Sequence, residues 1–163
     1  KATGALSEGV SAHVKVPTTY ASTVNIWAWY KEGDTTVNHP GPNDWPGVSM
    51  GSADADGWYS CVVPAWVNWV IVNDGTNQSA DIEVEQNKEF WIDLTMANVQ
   101  AYYKQTITFD LNYTGAPAAG TDTTVGGKVT FPVPTREGYT LTGWKDENND
   151  NVSSATYCHY QKE

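Results

Sequence analysis

Between residues 11 and 103, short runs that alternate apolar and polar residues recur, with turn-forming residues between them. Because successive side chains of a strand point to opposite faces, this alternation predicts β-strands, and the clusters of Gly, Pro, Asn and Asp predict the turns that join them. No segment of useful length has apolar residues at the helical period. Seven short strands in one span favour an all-β fold, an antiparallel β-sandwich. The runs are Ser11–Val16, Thr23–Tyr30, Gly57–Val63, Trp66–Val72, Asp81–Val84, Phe90–Leu94 and Val99–Tyr103.

The segment Lys31–Ser49 lacks this alternation and is predicted to be one long loop. It contains charged residues, Gly, three Pro and Trp45. Long loops within compact domains often carry function, so this loop is a candidate binding segment.

The sequence pattern changes after Lys104. Thr106–Leu111 alternates, and a stretch rich in Gly, Ala, Pro and Thr follows it at Thr114–Thr124. This change predicts two domains, a β-sandwich over residues 1–104 and a small β-rich domain over residues 105–163. A chain of 163 residues is long enough for both.

The charge balance narrows the classes of partner. Asp and Glu outnumber Lys and Arg by 19 to 9, a formal net charge of −10, and no basic patch is present. Nucleic acid and anionic membrane surfaces are therefore poor partners. No apolar run is long enough to cross a membrane, so no membrane insertion is predicted. The chain starts at Lys1 without a signal peptide, and its composition is typical of extracellular bacterial proteins, so we expect a piece of a longer, secreted or surface-attached protein.

Tryptophan is unusually frequent, with 8 among 163 residues. In the second predicted strand, Trp27 and Trp29 share one face, and Ile26 and Ala28 share the other. One face has to pack in the core, and the other then offers its side chains outward. If Ile26 and Ala28 pack inward, two flat rings face outward; the reverse arrangement is the alternative. Trp45 follows a polar stretch and is harder to place in a core.

Outward-facing rings suit sugars, because an indole presents a flat apolar surface to the apolar face of a pyranose. Two or three rings at an angle match the curve of a starch-like helix. A polar group is also expected, and the amide of Gln78 both donates and accepts hydrogen bonds. Gln78 lies just beyond Asn73-Asp74-Gly75, which is predicted first of all to be a tight turn.

The remaining motifs have simpler explanations. The rings of Trp58, Trp66, Trp69 and Trp91 lie within or beside strand-like runs and are predicted to be core, although Trp66 or Trp69 would also serve to extend a binding surface. Asp54-Ala55-Asp56-Gly57 lacks the further ligands of a calcium loop and is predicted to be a hairpin turn. Neither a metal nor a cofactor is predicted.

Catalysis has little support in the sequence. No nucleophile elbow, metal motif or phosphate loop is present, and no carboxylate lies in an apolar strand context that would raise its pKa. The histidines His13, His39 and His159 are isolated along the chain. Cys61 and Cys158 fall in different predicted domains, so a disulfide between them is possible but Cys61 is better explained as a small buried residue.

Several stretches of residues 10–103, taken in order, resemble carbohydrate-binding module family 26, a starch-binding β-sandwich often attached to bacterial amylases. In that family an aromatic pair one residue apart on an early strand and a ring before Pro-Gly contact the ligand. The resemblance implies that Trp27, Trp29 and Trp45 stack on sugar and that Gln78 hydrogen-bonds to it. The related families 25 and 53 are alternatives. The matching stretches are Val24–Trp29, Trp45–Met50, Gly57–Ser60, Val70–Gly75 and Asn77-Gln78.

Residues 106–160 resemble the Listeria–Bacteroides repeat, also called the internalin B-type repeat, a small β-grasp-like unit. Tyr139, Leu141 and Trp144 are its core candidates. Such repeats usually serve as spacers or adhesion units on bacterial surface proteins. The usual aromatic ending is replaced here by Tyr157–Tyr160. The matching stretches are Ile107–Asn112, Gly127-Lys128 and Pro134–Trp144.

Together the resemblances imply a non-catalytic module that holds α-1,4-linked glucan: starch, amylopectin or maltooligosaccharides. It would target an extracellular amylase or starch-degrading system to its substrate, with the catalytic domain elsewhere in the parent chain. The alternative is a cell-surface adhesion module, in which the sandwich binds a protein or a host glycan and the small repeat is a stalk.

Overall fold

The computed structural model describes residues 9–123 and 130–153. Contacts divide the chain into two compact units, Lys1–Tyr103 and Lys104–Glu163. The described residues form strands and no helix, so the prediction of an all-β fold is confirmed. The first unit contains β1 Val10–Lys15, β2 Asn25–Glu32, β3 Thr35–His39, β4 Val48–Ser49, β5 Tyr59–Val63, β6 Trp69–Asn73, β7 Ile82–Glu83, β8 Phe90–Asp93 and β9 Ala101–Tyr102.

The first unit consists of two sheets. A four-stranded sheet has the order β5-β1-β8-β9, and a five-stranded sheet has the order β3-β2-β6-β7 with β4 also paired to β2. The pairs are antiparallel except β1 with β8, which run parallel. The parallel pair is a local departure within the predicted sandwich, which is confirmed as the fold of this unit.

The core lies between the two sheets, because alternate residues of the central strands are apolar and face one another across it. The four-stranded sheet contributes Val14 and Phe90, and the five-stranded sheet contributes Ile26 and Val72, all fully buried. The face of each sheet that points away from this core is called its outer face.

The predicted long loop Lys31–Ser49 is wrong in part, because it contains β3 and β4. β2 and β3 form a hairpin in which Glu32 pairs with Thr35, leaving only Gly33 and Asp34 in the turn. Gly33 has φ +57°, a conformation that suits the first central position of a two-residue hairpin turn. The Gly-Asp pair followed by Thr-Thr-Val was the sequence signal for this hairpin.

The second unit contains two small antiparallel sheets among its described residues, β10 Thr106–Thr108 with β11 Thr121–Thr123 and β12 Trp144–Lys145 with β13 Asn151–Val152. Phe109, Phe131 and Trp144 meet edge to face, with ring centroids 5.1–6.4 Å apart. Gly127-Lys128 and Tyr157–Tyr160 lie outside the described residues, so the β-grasp-like topology stays a prediction.

Two of the three predicted core residues of this unit are exposed. Trp144 packs against the buried Phe109, as predicted, but Tyr139 is 65% exposed and Leu141 is 41% exposed. Tyr139 lies in a local turn, where Arg136 pairs with it and places its guanidinium 3.8 Å from the centre of the tyrosine ring. This cation–π contact stabilises the tyrosine ring at the protein surface.

Candidate functional site

The central strand β2 sorts its side chains between the core and the outer face. Ile26 and Ala28 are fully buried in the core. Trp27 and Trp29, which alternate with them, therefore point to the outer face of the five-stranded sheet. The alternative, in which the two rings face the core, is wrong.

Trp45 lies against Trp27 on this outer face. Their ring centroids are 5.9 Å apart and the ring planes are inclined by 54°. Trp45 is 45% exposed, whereas Trp27 is half-buried. The two indoles form an angled, water-accessible apolar surface, which we call the ring pair.

The loop that carries Trp45 is held down on β2 by close backbone packing at Gly47. A Cβ added to Gly47 would lie 2.2 Å from the Ile26 carbonyl oxygen and 3.0 Å from the Trp27 Cα. Gly47 also has φ +101°, which L side chains rarely adopt. The Pro-Gly sequence after Trp45 therefore lets the loop lie directly over the strand that carries Trp27.

Asn73, at the end of β6, fixes the same loop from the other side. Its side-chain amide is fully buried, donates to the Pro46 carbonyl at 2.9 Å and accepts from the Gly75 amide at 3.0 Å. Sequence reasoning assigned Asn73 only to a turn and missed the contact with Pro46. No local pattern signals this contact, because it depends on which strands are neighbours in the sheet.

Gln78 is connected to the ring pair through this turn. Its backbone pairs with Asn73 in an isolated bridge, and its side chain is exposed. Asn73 thus contacts the segment before Gln78 and the loop after Trp45. The structure brings Trp27 and Trp45 into contact and anchors Gln78 to the residue that holds their loop.

The Asp74 carboxylate organises the turn between Asn73 and Gln78. It accepts hydrogen bonds from the Asn77 side-chain amide at 2.8 Å, the Ala21 amide at 2.8 Å and the Asn77 amide at 2.6 Å. These donors, the Asn77 side chain first, hold the pKa of the Asp74 carboxyl well below its ordinary value of 3.8. The turn is therefore built around an ionised carboxylate.

Trp29 belongs to a different ring contact from Trp45. It lies opposite Trp69 in the β2–β6 ladder, and the two rings stack with centroids 6.2 Å apart and planes inclined by 15°. Trp29 is only 9% exposed, while Trp69 is half-buried. The three rings predicted to act together are thus divided between the ring pair and this stacked pair.

The prediction that the other tryptophans are core rings is wrong in part. Trp58 and Trp91 are buried, at 4% and 3% exposed, but they lie on the outer face of the four-stranded sheet and not in the core between the sheets. Trp66 packs against the core and meets His39 edge to face at 6.4 Å. Burial of the imidazole lowers the pKa of His39.

His13 is isolated along the chain, but the fold brings two polar side chains to it. Its Nδ1 lies 2.6 Å from the Ser60 Oγ and its Nε2 lies 2.7 Å from a carboxylate oxygen of Glu89. The three side chains bridge neighbouring strands on the outer face of the four-stranded sheet, because His13 pairs with Ser60 on one side and with Trp91 on the other. The Glu89 side chain is 43% exposed, so water screens its charge.

The sites that the sequence excluded have local explanations. Asp54 accepts from the amides of Asp56 and Trp58, both at 2.9 Å, so a turn lies here as predicted. It is not a hairpin turn, because the strands on either side of it, β4 and β5, belong to different sheets. No group of three or more His, Cys, Asp or Glu is placed to hold a metal ion within residues 9–123 and 130–153. Over the same ranges, no helix long and apolar enough to span a membrane is present. Cys61 is a free thiol whose pKa burial raises to about 11, and Cys158 lies outside the described residues.

Comparisons with known proteins bear on the first unit. One solved structure is similar, the crystal structure of CBMbc, of family CBM26, from Eubacterium rectale Amy13K in complex with maltoheptaose. The two share 23% identity with a TM-score of 0.43, over 63% of this chain and 53% of that one, so the chain spans about half of the length of that structure. No curated protein matches the chain. The family model for starch-binding module 26 matches residues 12–84, the span that contains the ring pair, the stacked pair, Asn73 and Gln78.

Proposed function

We propose that the first unit binds starch and other α-1,4-linked glucans on the outer face of its five-stranded sheet, without catalysis. The observation that carries the proposal is the ring pair, with indole planes inclined by 54° and Trp45 45% exposed. The match of residues 12–84 to a family of starch-binding modules supports the same ligand class.

The inclination of the two rings suits a curved chain of sugars. Successive glucose units of an α-1,4-linked chain turn along its helix, so two of their apolar faces meet two surfaces set at an angle. By analogy with the stacking of bases on aromatic rings, each sugar–indole contact contributes about 1–3 kcal/mol. The face is open and shallow, so we expect one module to bind weakly.

The proposed site consists of Trp27, Trp45 and Gln78 as ligand contacts, with Trp29 beside them on the same face. Trp27 and Trp45 supply the stacking surface. Trp29 supports the adjacent part of the face, and the exposed Gln78 amide hydrogen-bonds sugar hydroxyls. The roles of Gly47 and Asn73 are to hold the Trp45 loop in place.

The wider role follows from weak binding. A module of this kind would raise the local concentration of starch for a catalytic domain in the same parent chain, outside the cell or on its surface. Several modules on one parent would gain affinity through avidity. The second unit would serve as a spacer of the Listeria–Bacteroides type.

Native gel electrophoresis with and without soluble starch tests this proposal. We expect starch to retard the wild-type protein and Trp45→Ala to lose most of that retardation. Tyr139→Ala is the matched control, because it removes another exposed ring, 65% exposed, in the second unit. It should migrate as the wild type does.

Retardation that Trp45→Ala leaves unchanged would keep the function and reject this site. A wild-type protein unaffected by starch, glycogen and pullulan would overturn the proposal and favour the adhesion alternative.

A further inference from the structure

The geometry of the outer face points to a ligand contact beyond the ring pair. We infer that Trp69 is a further glucan-contacting ring and that it determines the preference of this face for longer oligosaccharides. The inference rests on the proposed function, since it concerns the same face and the same ligand class.

The strand register places a continuous row of side chains across the five-stranded sheet. Asn38 pairs with Trp29, Trp29 pairs with Trp69, and Trp69 pairs with Glu83. Directly opposed residues of antiparallel strands point to the same face, so all four side chains lie on the outer face. Two stacked indoles therefore lie between an amide and a carboxylate.

Burial shows which ring of the stacked pair is available. Trp29 is 9% exposed, with one face covered by Trp69, and so has little surface for a ligand. Trp69 is half-buried and lies nearer the edge of the sheet, beside the exposed Glu83. A sugar that reaches this part of the face therefore contacts Trp69. The Trp29 ring, stacked against Trp69, holds the Trp69 ring in position.

Polar groups around the two rings fit the rim of a saccharide. A pyranose has apolar faces and a rim of hydroxyl groups, so it requires a flat ring below and hydrogen-bonding groups at the sides. The Glu83 carboxylate accepts hydrogen bonds from hydroxyls, and the half-exposed Asn38 amide both donates and accepts them. Aromatic surface with a few polar groups around it is the usual lining of a small-ligand site.

The spacing along the strands determines the chain length that this contact requires. Trp29 lies two residues beyond Trp27 on β2, which separates their Cα atoms by about 7 Å along the strand. A single sugar cannot cover the ring pair and the Trp69 region together. A short oligosaccharide therefore uses the ring pair alone, and a longer one gains the additional contact with Trp69.

Isothermal titration calorimetry of the full chain with maltotriose and with maltoheptaose tests this inference. Three variants are compared with the wild type: Trp69→Ala, Trp69→Leu and Trp69→Phe. Leu fills the space against Trp29 without offering a ring, whereas Phe keeps a ring. Thermal unfolding of each variant confirms that the sandwich is folded, and Trp69→Leu keeps the test valid if Trp69→Ala does not fold.

We expect Trp69→Leu and Trp69→Ala to weaken maltoheptaose binding about fivefold or more, the effect of losing one stacked ring. Maltotriose binding should change less than about twofold, and Trp69→Phe should keep most of the wild-type affinity for both sugars.

Two results would overturn the inference while leaving the proposed function intact. If Trp69→Leu binds maltoheptaose as the wild type does, Trp69 only supports Trp29. If both sugars lose affinity equally, Trp69 acts through the ring pair and not as a separate contact. A wild-type protein that binds neither sugar would instead overturn the proposed function itself, before any variant is compared.

Discussion

The two sheets of the first unit both carry aromatic rings on their outer faces, but the rings differ in what covers them and in how exposed they are. On the four-stranded sheet, His13 stacks on Trp91 with centroids 4.8 Å apart, and the Lys15 ammonium lies 4.9 Å from the centre of the Trp58 ring. Both of these rings are less than 5% exposed. On the five-stranded sheet, indoles contact one another, and Trp45 remains 45% exposed.

An aromatic outer face is therefore not by itself a binding surface. A ring covered by an imidazole or an ammonium group contributes to stability and has no free surface for a ligand. A ring that lies at an angle to its neighbour and is only partly covered, as Trp45 is, keeps apolar surface in water. Removing rings from the two sheets should therefore change different properties.

The largest effect is expected from Trp91→Ala on the four-stranded sheet. Deleting a buried indole removes its apolar burial and leaves a cavity, so the free energy of unfolding should fall by about 3–5 kcal/mol. Starch binding by the protein that remains folded should be unchanged. Urea unfolding measures the first quantity and affinity electrophoresis the second.

Trp45→Ala is the counterpart on the five-stranded sheet. It should lower the free energy of unfolding by less than Trp91→Ala does, because Trp45 is 45% exposed and Trp91 only 3%, and it should lose starch binding. The comparison of the two sheets would be broken if Trp91→Ala lost starch binding while fully folded, or if Trp45→Ala lost as much stability as Trp91→Ala.

Gly47→Ala tests how the open face is held in place. The new Cβ would lie 2.2 Å from the Ile26 carbonyl oxygen, so the loop has to lift from β2. We expect a loss of about 1–3 kcal/mol in stability and a loss of starch binding, since Trp45 moves away from Trp27. Calorimetry with maltoheptaose and urea unfolding measure the two effects.

Gly51→Ala is the matched control for this substitution. Gly51 also has a positive φ, +71°, but a Cβ there would meet nothing within 4 Å. The control carries the conformational cost without the clash, and so it should lose some stability and keep the wild-type affinity. Equal losses of affinity in the two variants would show that the contact with β2 is not what positions Trp45.

The pattern in the sequence reduced the core-facing side of β2 to two alternatives, and the structure decided between them. Ile26 and Ala28 alternate with Trp27 and Trp29, and only one assignment buries the smaller apolar residues opposite a second sheet. Trp45, in a polar stretch, was correctly expected to be exposed. The positions of the other strands followed from the same alternation, except β3 and β4, which lie in the segment predicted to be a loop.

The tertiary contacts were beyond what periodicity reveals. Nothing local indicates that Asn73 reaches the Pro46 carbonyl or that Trp29 stacks on Trp69, since both contacts depend on which strands are neighbours. The bond network of His13 depends in the same way on the pairing of β1 with β5 and β8. Strand order is set by the whole fold, and a single strand pattern does not contain it.

His13→Ala tests the polar cover of the four-stranded sheet. It removes the stack on Trp91 and the bonds to Ser60 and Glu89, which together contribute about 1 kcal/mol because Glu89 is partly exposed. Starch binding should be unaffected. If urea unfolding showed a loss of several kcal/mol in the free energy of unfolding, the contacts of His13 would be a major source of stability for the four-stranded sheet.

The Ser60, His13 and Glu89 side chains also have the order of groups found in some hydrolases. Because the carboxylate is open to water, we expect no activation of the serine, and hydrolysis of a p-nitrophenyl ester should be the same for the wild type and Ser60→Ala. Hydrolysis that depends on Ser60 would contradict this expectation and would indicate that the outer face of the four-stranded sheet has a function of its own.

The smallest effect is expected at Asp74, in the turn that anchors Gln78 to the open face. Folding lowers the pKa of this carboxyl, so the ionised form stabilises the native turn. This contribution is fully present above the ordinary pKa of 3.8 and is lost as the pH falls from there through the lower native pKa. The Tm of the wild type should exceed that of Asp74→Asn by a few degrees at most at pH 7, and the difference should shrink as the pH falls below 3.8 towards pH 2. A Tm difference that stays constant down to pH 2 would mean that Asp74→Asn lowers stability through its shape and not through the loss of charge. Equal Tm values at pH 7 would mean that the turn does not depend on an ionised carboxylate.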